Sequence, residues 1–178
     1  MLEEMKGERT WPDVTAYNAV ITACEKRAQV EEAVRVFSEL RQWHKPDVSN
    51  YSASISACGA GGEWGRASLF LEEMKEERTW PDVTTYNAVI SACEQGGQVE
   101  EALRVFAELR QWHKPNVISY SATISACGTG GEWGRALGVL EEITDAANSP
   151  DGTMYGGVTN DDERRGRAEA AEWTLCEV

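Results

Sequence analysis

The sequence predicts an all-α solenoid of stacked helix-turn-helix repeats, each of about 34–35 residues. Tyr17, Tyr51, Tyr86 and Tyr120 fall 34, 35 and 34 residues apart, and Cys24, Cys58, Cys93 and Cys127 keep the same steps. Proline-led pairs recur in register: Pro12-Asp13, Pro46-Asp47, Pro81-Asp82, Pro115-Asn116 and Pro150-Asp151. A fixed period of this length means one supersecondary unit, repeated, each copy burying its apolar face on its neighbours.

The units divide the chain in order. Residues 1–13, MLEEMKGERTWPD, match 70–82, FLEEMKEERTWPD. They read as the second helix of a truncated repeat, so the chain reads as a fragment of a longer array. Four repeats follow at 14–47, 48–82, 83–116 and 117–151, and alternate repeats resemble each other most, which points to duplication of a pair. In the first repeat, Tyr17, Val20, Ile21 and Cys24 lie on one face of a helix. Val30, Ala33, Val34, Phe37 and Leu40 give the second helix a similar face. Between the helices lies Lys26-Arg27-Ala28-Gln29, or in the next repeat Gly59-Ala60-Gly61-Gly62, where glycine's tolerance of positive φ lets the chain reverse. The Trp-Pro or Lys-Pro step is expected to end each second helix, since proline disfavours helical geometry in the residue before it. Helices of roughly 10–13 residues are marginal alone, so contact between units must stabilise them. Over 152–178, Tyr155 keeps the period but Gly156-Gly157 and Asn160-Asp161-Asp162 interrupt the helix that should follow. That stretch reads as a degenerate repeat or capping tail.

Composition removes several classes of function. No apolar run approaches the roughly 20 residues of a membrane span, and no secretory leader opens the chain. No Cys-x-x-Cys pair occurs, and His44 and His113 lie in equivalent loops, so neither a metal nor a cofactor is expected. Equivalent stacked helices lie about 8–10 Å apart, beyond the about 7 Å reach of a disulfide. The four in-register cysteines are therefore expected to be small buried hydrophobes. Seven tryptophans raise the prospect of base stacking. Trp64 and Trp133, however, stand where Val30 and Val99 stand in alternate repeats, and packing is the expectation for the set. No phosphate loop, nucleophile motif or deaminase signature occurs, so no catalytic residue is expected. The formal charge of −13 opposes nucleic-acid binding, which normally draws on Lys and Arg. Its distribution softens the objection, because residues 14–47 carry five basic and five acidic side chains.

The repeated first-helix text is PDVTAYNAVITAC at 12–24, PDVSNYSASISAC at 46–58, PDVTTYNAVISAC at 81–93 and PNVISYSATISAC at 115–127. A turn follows, then a segment such as VEEAVRVFSEL or VEEALRVFAEL. The Trp-x-x-Leu-Gly-x-x-Tyr pattern of tetratricopeptide repeats is absent. Over about 1–151 the chain strongly resembles the pentatricopeptide repeat family. The resemblance implies single-stranded RNA binding along the concave face, in a mitochondrion or chloroplast. One base is then read by the side chain after the first-helix tyrosine together with the last side chain of the repeat. The implied pairs are Asn18 with Asp47, Ser52 with Asp82, Asn87 with Asn116, and Ser121 with Asp151. Their amide, hydroxyl and carboxylate groups offer donors and acceptors to the Watson–Crick edge of a splayed base. The family's pairing preferences imply a core of U-G-(C/U)-G. From spacing alone, Asp and Asn before a helix are ordinary N-caps. The family's phosphate-approaching lysine falls at Lys26, whose equivalents are Ala60, Gln95 and Thr129. The base-flanking apolar position falls at Thr15, Ser49, Thr84 and Ile118, only the last fully apolar. With roughly 1–3 kcal/mol per stacked base, four repeats predict micromolar affinity at best.

The leading expectation is a non-catalytic RNA-binding array in organellar RNA processing, stability or editing, with chemistry supplied by other RNA-processing proteins. No membrane or DNA partner is expected. The rival is a protein-binding α-solenoid scaffold, which the acid balance favours because a negative groove suits a basic partner; a third is a non-functional remnant. The position of the acid discriminates. Glu31, Glu32, Glu100 and Glu101 begin second helices and should lie on the convex side.

Overall fold

The computed structural model describes residues 12–145, and these form eight α-helices. They are α1 Val14–Glu25, α2 Val30–Trp43, α3 Val48–Ala60, α4 Trp64–Glu76, α5 Val83–Gln95, α6 Val99–Trp112, α7 Val117–Gly130 and α8 Trp133–Asp145. The tail expected at 152–178, Asp151, and all but the last two residues of the segment 1–13 lie outside the described residues.

The odd helices share one beginning and one ending. Asp13, Asp47, Asp82 and Asn116 are their N-caps, each side chain accepting the backbone N–H three residues on. At the other end the carbonyl of Cys24, Cys58, Cys93 or Cys127 accepts the N–H of the residue five further on, at 2.8–3.0 Å. The residue before that donor is left-handed: Ala28 at φ 51°, Gly62 at 74°, Gly97 at 65° and Gly131 at 77°. One position earlier, glycine is needed for space rather than conformation. A Cβ on Gly61 would overlap Val30, one on Gly96 would overlap Trp64, and one on Gly130 would overlap Val99. The first residue of α2, α4 and α6 thus seats on the end of the next odd helix.

The even helices end in two ways. α2 and α6 pass into extended backbone at His44 and His113 before their Lys-Pro steps. α4 stops at Glu76, well short of Pro81, in a left-handed turn with Arg78 at φ 56° and Thr79 N–H on Met74 O at 2.9 Å. A local turn, not the proline, ends that helix.

One core runs the length of the stack. Tyr17, Ile21 and Cys24, with their counterparts in the next three units, are buried along the odd helices. Val30, Ala33, Phe37 and Leu40 are buried in α2 as expected, but Val36 is buried too, while Val34 is only partly so. α2 lies against both α1 and α3, so its apolar stripe is wider than a single contact requires. Consecutive odd helices pack on one another along a row, closely enough that Gly59 of α3 faces Ala92 of α5. Consecutive even helices make no comparable backbone approach among the described residues. A solenoid bends toward its more closely packed row, which assigns the odd helices to the concave side.

Candidate nucleic-acid interface

The odd helices turn Tyr17, Ile21 and Cys24 inward, which leaves the stripe through Thr15, Asn18, Thr22 and Lys26 facing the concave side. Thr15, Ser49, Thr84 and Ile118 are all exposed, and Asn18, Ser52, Asn87 and Ser121 are half-buried one turn later. Lys26, the C-cap of α1, is exposed at the far end of the stripe. The caps Asp47, Asp82 and Asn116 are exposed at the N-terminus of the next odd helix. Both the cap geometry expected from spacing and the outward placement implied by the resemblance are therefore present in one side chain. Asp151 lies outside the described residues.

One of the expected pairs is in direct contact. Asn87 Nδ2 donates to Asn116 Oδ1 at 3.3 Å across the junction between α5 and α7. The other end of the Asn87 amide, Oδ1, is buried without a hydrogen-bond partner, as is Oδ1 of Asn18.

A third set of side chains, which spacing did not single out, controls these caps. Thr85 Oγ1 donates to Asp82 Oδ1 at 2.8 Å, and the Thr85 N–H donates to the same oxygen at 2.8 Å. Ser119 repeats this on Asn116 Oδ1, with N–H and Oγ each at 3.0 Å, while its Oγ accepts the Asn116 N–H at 3.2 Å. Asn50 closes a capping box on Asp47 without a hydroxyl, its Oδ1 accepting the Asp47 N–H at 2.9 Å. The counterpart on Asp13 is Ala16, which offers only its N–H. The signal was available, since a hydroxyl or amide three residues after Asp or Asn is a known helix-start pattern.

Charge is sorted by row. Between residues 14 and 143, the acidic side chains on odd helices are Glu25 and Glu94, and no Lys or Arg lies on an odd helix. The remaining acids occupy even helices, loops and the two caps. Many are tied across repeats: Arg41 to Glu73 at 2.6 Å, Arg66 to Glu31 at 2.9 Å, Lys75 to Glu108 at 2.5 Å, Arg110 to Glu142 at 2.7 Å and Arg135 to Glu100 at 2.6 Å. Tyr51 and Tyr86 donate their hydroxyls to Glu73 and Glu108 at 3.0 and 2.9 Å. Burial, reinforced by the neighbouring carboxylate, pushes both phenols above the ordinary tyrosine range.

The tryptophans divide. Trp64 packs over Gly96 as expected, but Trp43, Trp80 and Trp112 project from the surface at 60%, 67% and 66% exposure, against the expectation of packing. Trp80 and Trp112 lean on each other beside a cleft of about 350 Å³, lined also by Lys75, Pro81, Tyr86, Glu108 and His113 between neighbouring repeats. Trp43 and Trp112 close their helices and Trp80 precedes Pro81, so all three indoles stand at helix ends or in a loop, beyond the buried stripe.

The pentatricopeptide repeat domain model matches residues 1–61 and 42–95, the PPR repeat family model 81–129, and a further PPR repeat model 118–146. The chain belongs to the pentatricopeptide repeat family. A pentatricopeptide repeat-containing protein of Arabidopsis thaliana is 32% identical over 79 residues, 43% of this chain and 14% of that relative. Another from the same plant, described as chloroplastic, is 35% identical over 75 residues, 40% of this chain and 10% of its own length. The chain thus spans a small part of the relatives it matches. Among solved structures, the pentatricopeptide repeat protein PPR10 from maize superposes with a TM-score of 0.85 at 24% identity, over 99% of this chain and 26% of that one. PPR10 in complex with an 18-nt psaJ RNA element superposes at 0.80 with 25% identity, over 96% of this chain and 26% of that one.

Proposed function

We propose that the chain binds single-stranded RNA along the concave odd-helix row, one base per repeat, with the repeats at 14–47, 48–82, 83–116 and 117–151. The bases are read by Asn18 with Asp47, Ser52 with Asp82, Asn87 with Asn116, and Ser121 with Asp151, and Lys26 approaches a phosphate. The observation that carries this reading is the Asn87–Asn116 hydrogen bond. Two side chains far apart in sequence meet on the concave side, and the Asn116 NH2 takes no partner among the described residues. Most carboxylates outside the caps also lie away from the concave row, where the odd helices themselves carry only Glu25 and Glu94. Family membership, together with the likeness to PPR10 bound to RNA, supports the reading. The chain is non-catalytic in this reading, acts in organellar RNA processing, stability or editing, and works in a mitochondrion or chloroplast; the chloroplastic relative supports that compartment.

The test is equilibrium binding of labelled RNA containing UGCG or UGUG, against an ACAC control, at low and moderate salt. Preference for the expected core, lost in Asn18→Ser and Asn87→Ser, is the outcome this reading requires. One observation favours the protein-scaffold alternative: the odd helices carry no Lys or Arg to meet phosphate. Equal, weak binding to all three RNAs would select it.

A further inference from the structure

We infer that Ser119 is a positioning residue that makes the third repeat prefer cytosine to uracil, by holding the Asn116 amide with its oxygen inward and its NH2 outward. This deepens the base-reading function and rests on it. An amide has two unlike ends, and Asn116 Oδ1 is engaged by three donors: Ser119 N–H at 3.0 Å, Ser119 Oγ at 3.0 Å and Asn87 Nδ2 at 3.3 Å. The hydroxyl proton is directed at that oxygen because the Ser119 Oγ itself accepts the Asn116 N–H at 3.2 Å. Turning the amide over would set its NH2 against three donors and leave buried groups unpaired, which is costly. The outward group is therefore a donor. Cytosine offers a lone pair at N3, whereas uracil carries a proton there, so an outward NH2 complements the first and opposes the second.

The neighbouring junctions supply an internal control. Thr85 gives Asp82 Oδ1 the same hydroxyl bond, but a carboxylate has two equivalent oxygens, so Oδ2 faces outward as an acceptor whether or not the hydroxyl is there. At Asp47 the Asn50 side chain supplies no hydroxyl at all. The residue three after the cap thus tunes base identity only where the cap is an amide. Ser119 is itself buried, and its effect reaches RNA through Asn116 alone.

The experiment measures the ratio of affinities for RNAs containing UGCG and UGUG, using the whole chain. The ratio is insensitive to the fraction of folded protein, since both RNAs meet the same population. The wild type should favour UGCG. Ser119→Ala should shrink the ratio by about twofold to tenfold, the worth of one net hydrogen bond, while Ser119→Thr, which keeps a hydroxyl, should preserve it. Thr85→Ala should weaken both RNAs alike. Asn116→Asp should reverse the preference toward UGUG, and it tests base reading separately. If Asn116→Asp leaves the ratio unchanged, base reading falls and the inference with it. If that variant reverses the preference but Ser119→Ala weakens both RNAs equally, the serine is only structural and the positioning role is overturned.

Discussion

Ala28 occupies the left-handed position that glycine holds at Gly62, Gly97 and Gly131. An L-residue there carries a penalty of roughly 1–2 kcal/mol, part of which glycine returns through its greater unfolded-state entropy. Ala28→Gly is therefore expected to stabilise the chain by about 0.5–1 kcal/mol, read as a raised urea midpoint. Gly61→Ala should do the reverse. Its backbone, at φ −94°, admits alanine, so without a neighbour the substitution would be mildly stabilising. The overlap with β-branched Val30 turns the sign, to a loss of about 1–3 kcal/mol, and Val30→Ala in the same chain should recover part of it. The turn glycines were legible in the sequence as reversal points. Their second role was not, because it depends on a side chain in the preceding repeat. The cysteines make a prediction in pH. Burial lifts the thiols of Cys58, Cys93 and Cys127 from an ordinary 9.0 to about 11. Unfolded thiols ionise first, so the unfolded state binds fewer protons than the folded one between these values. Stability from this source is whole below pH 9 and should fall as pH rises from 9 to 11, in urea melts compared across that window.

The pairing of elements was largely legible, since the tyrosine–isoleucine–cysteine face of the odd helices and the second-helix face came from periodicity alone. Val36 escaped because a helix wedged between two neighbours buries more than one stripe, and the end of α4 escaped because Arg78 gives no glycine-like cue. Cross-repeat ion pairs were invisible, although each residue that makes them was in plain view, since their partners lie a whole period apart. They should not be equal. Glu108 is 20% exposed, receives the Tyr86 hydroxyl and Lys75, and has Arg104 nearby at 3.8 Å. Glu142 bonds Arg110 at a pair 48% and 41% exposed. Glu108→Ala is expected to cost about 1–3 kcal/mol, because it strands the part-buried Tyr86 hydroxyl and leaves the Lys75 ammonium with Glu72 alone. Glu142→Ala should cost about 0–1 kcal/mol, the range of exposed pairs. Matched urea melts in low and high salt would check both, with the second effect vanishing first.

For the molecule as a whole, the sequence conveyed the solenoid and the charge, but the segregation of that charge needed the two rows to be seen. A groove with a single lysine at one end of its stripe, on a chain of net charge −13, has few counterions to displace from RNA. Plotted as log affinity against log salt, binding should give a slope of about −0.7 or shallower, the value for one contact on a single strand. A slope several times steeper would mean cations from elsewhere on the chain reach the phosphates. The seating of Val30 on Gly61, Trp64 on Gly96 and Val99 on Gly130 bears on how such an array changes over time. Each of these three junctions offers the same bare socket, and the plug that fills it is valine or indole without distinction. Recombination can then insert or excise a module and still find a matching seam. If each module reads one letter, the recognised word grows or shrinks by whole letters, and the rest of its spelling is left untouched.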